Sequence, residues 1–184
     1  MQDGYNFTVI GYTGTVHFSS GDPYGASLRA DYTFQAADHG QHNFAAGAAL
    51  YTAGTWDVTA TDTVTSSITG SAAVTVNPAA ADHLLFLQQP SDTAAGQTIT
   101  PVIVAVVDQF GNVLTNDNTD TITLAIGTNP GGGTLSGTLT LTVVNGVATF
   151  GDLSIDLAGG GYTLHASVGG ALPDIDSDPF AITM

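Results

Sequence analysis

The sequence predicts an all-β protein built from two tandem β-sandwich modules, and three observations support this prediction. The chain contains no Glu and no Lys, so the usual helix-forming composition is missing, while Thr, Val, Gly and Asp are abundant. Short segments of alternating apolar and polar residues are separated by turn residues, as in sandwiches and barrels. The third observation is an internal repeat that covers most of the chain.

The repeat is clearest around two aromatic pairs. Phe44 is followed twelve residues later by Trp56, and Phe150 is followed twelve residues later by Tyr162. The two copies are offset by 106 residues, and a glycine lies two positions before the second aromatic residue in both. Alternating apolar residues then continue along the strand in each copy. The chain is therefore predicted to contain two copies of one β module.

In the first copy, alternation and turn residues predict several short strands. The segment 55–61 has the strongest pattern, with Trp56, Val58 and Ala60 predicted to face inward and the intervening polar residues outward. Residues 38–40 are predicted to form a turn. The other predicted strand segments of this copy are 13–19, 30–35, 41–50 and 71–76.

In the second copy, the pair Asn145-Gly146 is the strongest short hairpin signal in the chain. Residues 108–112 are predicted to form a tight turn, with Gly111 or Asn112 in a positive-φ conformation. A flexible loop is predicted at 129–133. The predicted strands of this copy are 83–88, 98–107, 121–126, 139–144, 147–150, the segment beginning at 162, and 180–183.

The repeat also shows which strands the first module lacks. We predict an incomplete module at residues 1–80 and a complete one at 81–184, joined by a short linker at 77–81. At the 106-residue offset, the strands within 83–106 have no upstream counterpart, so the first module lacks its two N-terminal strands. Either the sequence is cut from a longer array, or strands from elsewhere complete the module; exposed sheet edges make the second alternative an assembly hypothesis.

Charge excludes several classes of partner. The chain has one Arg, no Lys and sixteen Asp, which gives a formal net charge of −15. Nucleic acids and anionic membrane surfaces need Lys and Arg, so neither is an expected partner. No apolar run approaches the length of a membrane helix, and we expect no membrane insertion. There is no Cys, so neither a disulfide nor thiolate chemistry is available.

A family resemblance follows from the turn motif. The run Asp108-Gln109-Phe110-Gly111-Asn112, preceded by Gln89-Pro90 and Ala95-Gly96, resembles bacterial Ig-like domains of the invasin/intimin-like (Big) type. In those repeats an Asp-x-x-Gly-Asn turn links the second and third strands. The resemblance implies two tandem Ig-like β-sandwiches. It also implies an extracellular or cell-surface location and a role as a stalk, spacer, adhesin segment or fibre subunit.

Acidic residues near the C-terminus are the best cation candidates. Asp174, Asp176 and Asp178 alternate along an extended segment, so their carboxylates are predicted to point the same way. Carboxylate oxygens suit Ca²⁺, although no EF-hand pattern is present. Asp117 and Asp120, together with Asp82 at the junction, are further possible ligands. The alternative is a solvated acidic loop; no other cofactor is expected.

No catalytic constellation is apparent, and we expect the chain not to be an enzyme. His39 and His42 lie near Asp38 in a turn region, where solvated turn residues are the simpler interpretation. His17 and His165 fall at outward strand positions, and His83 lies at the junction. Tyr5, Tyr12, Tyr24 and Trp56 could line a sugar-binding face, although Trp56 fits a core position better. Asn6-Phe7-Thr8 matches a glycosylation acceptor.

The functional prediction is a structural or adhesive segment of an extracellular bacterial surface protein. Such a segment could be a filament subunit assembled by strand complementation between chains, with self-association or neighbouring Ig-like modules as partners. The alternative is a carbohydrate-binding or spacer module of a secreted enzyme, with glycans as ligands. The fold alone does not decide between these functions.

Overall fold

Short antiparallel strands make up nearly all the regular structure of the computed structural model, which describes residues 7–170 and 172–184. The predicted all-β class is therefore confirmed. The chain divides into two compact units, unit 1 (Met1–Asn77) and unit 2 (Pro78–Met184). The division falls within the predicted linker. Among the described residues, no helix is long and apolar enough to cross a membrane.

The strands of unit 1 are β1 (Thr15–Ser20), β2 (Ala26–Leu28), β3 (Tyr32–Thr33), β4 (Ala48–Leu50), β5 (Gly54–Asp62) and β6 (Thr69–Val76). They form one four-stranded antiparallel sheet with the order β3-β1-β5-β6, and a separate pair β2-β4. A single turn of 3-10 helix, Ala36–Asp38, follows β3.

The strands of unit 2 are β7 (Ala81–Gln88), β8 (Thr93–Ala94), β9 (Val102–Asp108), β10 (Thr121–Ile126), β11 (Leu135–Ser136), β12 (Thr140–Thr142), β13 (Val147–Phe150), β14 (Ser154–Ile155), β15 (Gly159–Tyr162), β16 (Leu164–Ser167), β17 (Ile175–Asp176) and β18 (Phe180–Thr183). They form a matching four-stranded sheet, β12-β10-β16-β17, and a three-stranded sheet, β13-β9-β7. A third sheet has the order β15-β18-β8, and β11 pairs with β14.

The pairing register of the central strands reproduces the sequence repeat. In unit 1, Phe18 of β1 pairs with Ala60 of β5. In unit 2, Leu124 of β10 pairs with Ala166 of β16, which are the residues 106 positions further along the chain. A slip of one residue would turn every side chain to the other face of the sheet. The two units therefore present equivalent residues on equivalent faces.

The predicted turn at Asn145-Gly146 is present in unit 2, and unit 1 has an equivalent turn. Asn145 and Gly146 have φ values of 52° and 77°, the positive values that a type I′ turn requires. His39 and Gly40, at the equivalent positions of unit 1, have φ values of 49° and 73°. Both units therefore turn the chain in the same way before the segment that corresponds to β13.

The segment after this turn differs between the units, and the strand predicted for it in unit 1 is wrong. Residues 41–50 were expected to be extended, but only the end of this range is a strand, as β4. Strand β13 of unit 2 pairs along its length with β9. At the 106-residue offset, the positions in unit 1 that correspond to β7 and to most of β9 would come before residue 1 of the sequence. Residues 41–44 therefore have no counterpart of β9 among the described residues, and they form no ladder.

The core reflects the same difference. The buried hydrophobic cluster lies entirely in unit 2, where strands β9 and β7 place Val104 and Leu84 at 0% exposure against the opposite sheet. Among the described residues of unit 1, Phe34 is the one buried hydrophobic side chain. Because stability rises with the apolar area removed from water, unit 2 holds most of the hydrophobic stabilisation.

A buried carboxylate organises the turn after β9. Asp108 is fully buried, and its oxygens accept hydrogen bonds from the backbone amides of Ala79 (2.8 Å), Phe110 (2.9 Å) and Asn112 (2.9 Å), and from the Asn112 side chain (2.9 Å). Burial alone would raise the pKa of Asp108, but these donors hold it below the usual value. Gly111 has a φ of 82°, as the sequence predicted for this turn.

Replacing this carboxylate should destabilise unit 2. Asp108→Ala leaves buried amide donors without an acceptor, and we expect the free energy of unfolding to fall by about 3 kcal/mol. Urea denaturation followed by circular dichroism measures the loss, while Trp56, the single Trp of the chain, reports on unit 1. Asp178→Ala removes an exposed carboxylate and is the control, with a change within about 0.5 kcal/mol. Equal losses in the two variants would contradict the role of Asp108.

Candidate functional site

The most unusual surface of the molecule is the inward face of the four-stranded sheet in unit 1. In unit 2, the corresponding face is closed: Leu124 is 1% exposed and Leu164 is 0% exposed. Their counterparts 106 residues earlier, Phe18 and Val58, are only partly buried. Apolar residues at the same register are thus less well covered in unit 1. We refer to this surface as the open face.

Trp56 shows the effect at a single position. Its counterpart Tyr162 is 0% exposed, whereas Trp56 is partly buried. The Trp56 indole donates a hydrogen bond to the carbonyl oxygen of Thr52 at 2.7 Å, so its polar atom is satisfied. The expected core role of Trp56 therefore holds only in part. The Trp56 ring stays partly exposed, whereas the Tyr162 ring is fully removed from water.

An aromatic cluster covers part of the open face. The rings form a continuous series of contacts, mostly edge to face, a geometry that aromatic pairs prefer. Their centroid separations run from 4.0 Å for Tyr32 on His42 to 5.4 Å for Tyr32 on Phe34. The members of the aromatic cluster are Tyr12, Phe18, Tyr32, Phe34, His42 and Phe44.

A polar anchor holds one end of this cluster in place. The Tyr12 hydroxyl donates a short hydrogen bond to Asp62, which also accepts from the amides of Val64 (2.8 Å) and Thr65 (2.7 Å). Burial and the bond to Asp62 raise the pKa of Tyr12 to about 12, while that bond is the main cause of the lowered pKa of Asp62. Gly14 packs against this pair, and a Cβ there would collide with both side chains.

Two of the three predicted calcium ligands contact a histidine in this structure. His165 contacts Asp176 at 2.7 Å through Nδ1 and Asp174 at 3.4 Å through Nε2. Asp178 is exposed, and its backbone amide donates to the Gln89 side chain at 2.9 Å. Within residues 7–170 and 172–184, no group of three or more His or Asp side chains is arranged to hold a metal ion. Calcium binding by these carboxylates stays a prediction.

The two carboxylates favour the protonated form of His165. The hydrogen bond to Asp176 is the largest cause of a raised pKa for this imidazole, and it outweighs the opposing effect of partial burial. Asp174 contributes in the same direction. His165 lies on β16 directly opposite Asp176 of β17. A protonated His165 would therefore help to hold the short strand β17 on the sheet.

The other acidic candidates form a separate pair. Asp117 accepts hydrogen bonds from the amides of Thr119 (2.9 Å) and Asp120 (3.2 Å), and its second oxygen is buried without a hydrogen-bond partner. Burial and the negative charge of Asp117 raise the pKa of Asp120. Asp82 does not join this pair; its carboxylate contacts His83 at 2.9 Å. The predicted calcium ligands therefore lie at separate positions in unit 2.

The remaining predicted positions are solvent-facing or lie outside the described residues. His17 pairs with Asp31 at 2.7 Å on the exposed side of β1, and His39 forms part of the turn described above. Tyr24 is 60% exposed and contacts the Tyr51 ring edge-on at 5.9 Å. Tyr5 and Asn6, from the sugar-binding and glycosylation predictions, fall outside the described range.

Sequence reasoning missed the aromatic cluster as a unit. The signal was present as a concentration of aromatic residues before residue 45, but strand alternation placed them on separate strands. It also missed the His165 pairing, because β16 and β17 are brought together only by the sheet. A search for His opposite Asp at cross-strand positions would need the register in advance.

Comparisons with known proteins assign no family. No family profile matches the sequence, and no curated protein matches it. Among solved structures, similarity is found to a glycosyl hydrolase family 2 member from Bacteroides cellulosilyticus, with a TM-score of 0.47, 14% identity, and coverage of 91% of this chain but only 22% of that one. The S-layer protein SbsC, domains 4 and 5, gives a TM-score of 0.40 and 18% identity, covering 100% and 79%.

At these identities and TM-scores, the similarities assign neither a family nor an activity. The chain spans about a fifth of the length of the hydrolase that it matches. The resemblance to invasin/intimin-like repeats therefore stays a prediction.

The His165 contacts predict a pH-dependent contribution to stability. Because the pKa of folded His165 is raised, its contribution is fully present below the ordinary value of 6.5 and is lost as pH rises through the folded pKa. We expect Asp176→Asn to lower the melting temperature more at about pH 5.5 than at about pH 9. Scanning calorimetry of both proteins across this range measures the difference.

Asp178→Asn is the matched control, since it makes the same charge change two residues away from Asp176. Its effect on the melting temperature should not grow as pH falls through this range. A pH-independent difference between the wild type and Asp176→Asn would contradict the proposed contribution of protonated His165.

Proposed function

We propose that this chain is a structural or adhesive segment of an extracellular bacterial surface protein. The observation that carries the proposal is the duplicated module, with the same strand register in both units. Tandem copies of one β module build length and present surface without requiring a chemical site. The strongly acidic composition favours a solvated exterior, and a chain without Cys needs no disulfide to fold.

In this proposal the chain itself is not catalytic. Its carboxylates are mostly occupied with backbone amides and histidines; the buried Asp22, for example, accepts from the amides of Tyr24 (3.1 Å) and Thr52 (3.1 Å). Such carboxylates order loops and are poorly placed for proton transfer to a substrate. These polar side chains thus stabilise turns and strand ends.

A finer proposal is that the chain acts as a filament subunit assembled by strand complementation between chains. The open face of unit 1 favours it, because a sheet with one poorly covered apolar face and unpaired edges is prone to accept further strands. Strand β6 supports the same idea: it is an edge strand whose residues are nearly all exposed.

The alternative proposal is a carbohydrate-binding or spacer module of a secreted enzyme. The exposed ring of Tyr24 beside Tyr51 is the observation in its favour, since exposed aromatic faces stack on sugars. Glycan-array binding that is lost in Tyr24→Ala would support this alternative.

Localisation tests the main proposal. Antibodies raised against the purified chain should label intact, unpermeabilised cells of the source bacterium in immunogold electron microscopy. The control is the same labelling in a strain that lacks the gene. Labelling that appears only after permeabilisation would contradict the proposal, and hydrolysis of glycosides by the purified chain would contradict its non-catalytic part.

A further inference from the structure

Two Asp-Pro peptide bonds lie in different surroundings in this chain. They join Asp22 to Pro23 in unit 1 and Asp178 to Pro179 in unit 2. Such a bond can be broken by intramolecular attack, because the side-chain carboxylate can reach its own carbonyl carbon. The prolyl nitrogen, which carries no N–H, then leaves as a basic secondary amine. The contacts of the carboxylate and of the carbonyl oxygen decide whether each bond is reactive.

The Asp22 carboxylate is occupied by hydrogen-bond donors. It is buried, and it accepts from the backbone amides of Tyr24 (3.1 Å), Tyr51 (2.5 Å) and Thr52 (3.1 Å). Burial alone would raise the pKa of Asp22, but the hydrogen bonds from Thr52 and its neighbours lower it. Attack on its own carbonyl would break these bonds. The bond after Asp22 is therefore protected, although the Asp22 carbonyl accepts from the Gly25 amide at 3.0 Å.

Asp178 has the opposite arrangement. It is exposed, and the hydrogen bonds that it forms with other described residues use its main-chain atoms. The Asp178 amide donates to the Gln89 side chain at 2.9 Å, and the Asp178 carbonyl oxygen accepts from the Ser177 hydroxyl at 2.9 Å. The backbone is therefore held on both sides of this residue, while its carboxylate stays available for attack.

The sheet directs the Ser177 hydroxyl at this carbonyl. Ser177 is 6% exposed, its Oγ accepts a hydrogen bond from the Leu164 amide at 2.9 Å, and its own amide donates to the Leu164 carbonyl at 2.8 Å. The single hydroxyl proton is left for the Asp178 carbonyl oxygen. A fixed donor at this oxygen stabilises the negative charge that develops there when the carbonyl carbon is attacked.

We propose that the chain cleaves its own Asp178-Pro179 peptide bond in mildly acidic solution. One carboxylate oxygen of Asp178 attacks the carbonyl carbon of the same residue and closes a cyclic anhydride. The bond from that carbon to the Pro179 nitrogen breaks, and the nitrogen keeps the electron pair, takes a proton from the solvent and leaves as a secondary ammonium group. Water then opens the anhydride and leaves two carboxyl groups on Asp178. The reaction occurs once in each chain and goes beyond the proposed structural role, since it needs no separate substrate.

Cleavage would separate β18 from the rest of unit 2 without removing its contacts. This strand pairs with β15 and β8, and its side chains Phe180 and Ile182 are 4% and 2% exposed. The fragment 179–184 should therefore stay bound in native solution and be released on denaturation. Because a released strand must rebind from solution, refolding of the cleaved chain becomes dependent on its concentration.

Mass spectrometry after incubation in acid tests the proposal. The full chain is held at the lowest pH that preserves its native circular dichroism, about pH 4, and its mass is then measured under denaturing conditions. Fragments 1–178 and 179–184 should form at least about tenfold faster than fragments 1–22 and 23–184. In urea at the same pH, where neither carboxylate is held, both bonds should break at similar rates.

Two variants separate the attacking group from the hydrogen-bond donor. Asp178→Asn keeps the size of an exposed side chain but removes its carboxylate, and it should abolish cleavage after residue 178. Ser177→Ala should slow that cleavage by about tenfold, whereas a merely destabilising effect would speed up cleavage after Asp22 instead. The proposal is overturned by equal rates at the two bonds in the folded chain, by no cleavage after residue 178, or by wild-type rates in either variant.

Discussion

The structure depends on one constraint: an apolar sheet face must be covered by a second layer. Unit 2 meets it with β9 and β7, and its facing residues are almost completely removed from water. Unit 1 has the same four-stranded sheet in the same central register, but its described residues contain no counterpart of β7, and the inward face of the sheet is only partly buried. The sheet residues are apolar in both units, so the difference in their burial reflects the layer that covers them.

The acidic composition is the second feature that shapes the fold. With a single Arg in the chain, sixteen carboxylates cannot be neutralised by salt bridges. Several instead accept backbone amides at turns and strand ends: Asp22 beside Thr52, Asp62 beside Thr65, Asp108 beside Asn112, Asp117 beside Thr119, and Asp152 beside Thr138. These bonds lower the pKa of each carboxyl and favour its charged form. The same Asp residues therefore stabilise the turns and carry the negative charge that favours solubility.

The sequence was sufficient for the fold class, the repeat, the turn at Asn145-Gly146 and the bounds of β10 and β18, because these depend on local alternation and turn chemistry. It was misleading for residues 41–47, whose pattern is that of a strand but whose extended state requires the ladder that β9 provides to β13. The contact between His165 and Asp176 was also out of reach, since it depends on cross-strand register. Local sequence patterns do not reveal which distant strands pair with each other.

Hydrogen exchange of the isolated full chain tests the central claim most directly, because it compares two equivalent segments in one molecule. The amides of residues 148–150, which lie in the ladder with β9, should be strongly protected. Those of residues 42–44 should exchange at least about a hundredfold faster, as expected for a segment without a ladder. Equal, strong protection of the two segments in the monomeric chain would contradict the account, because it would show that unit 1 already has the covering strand.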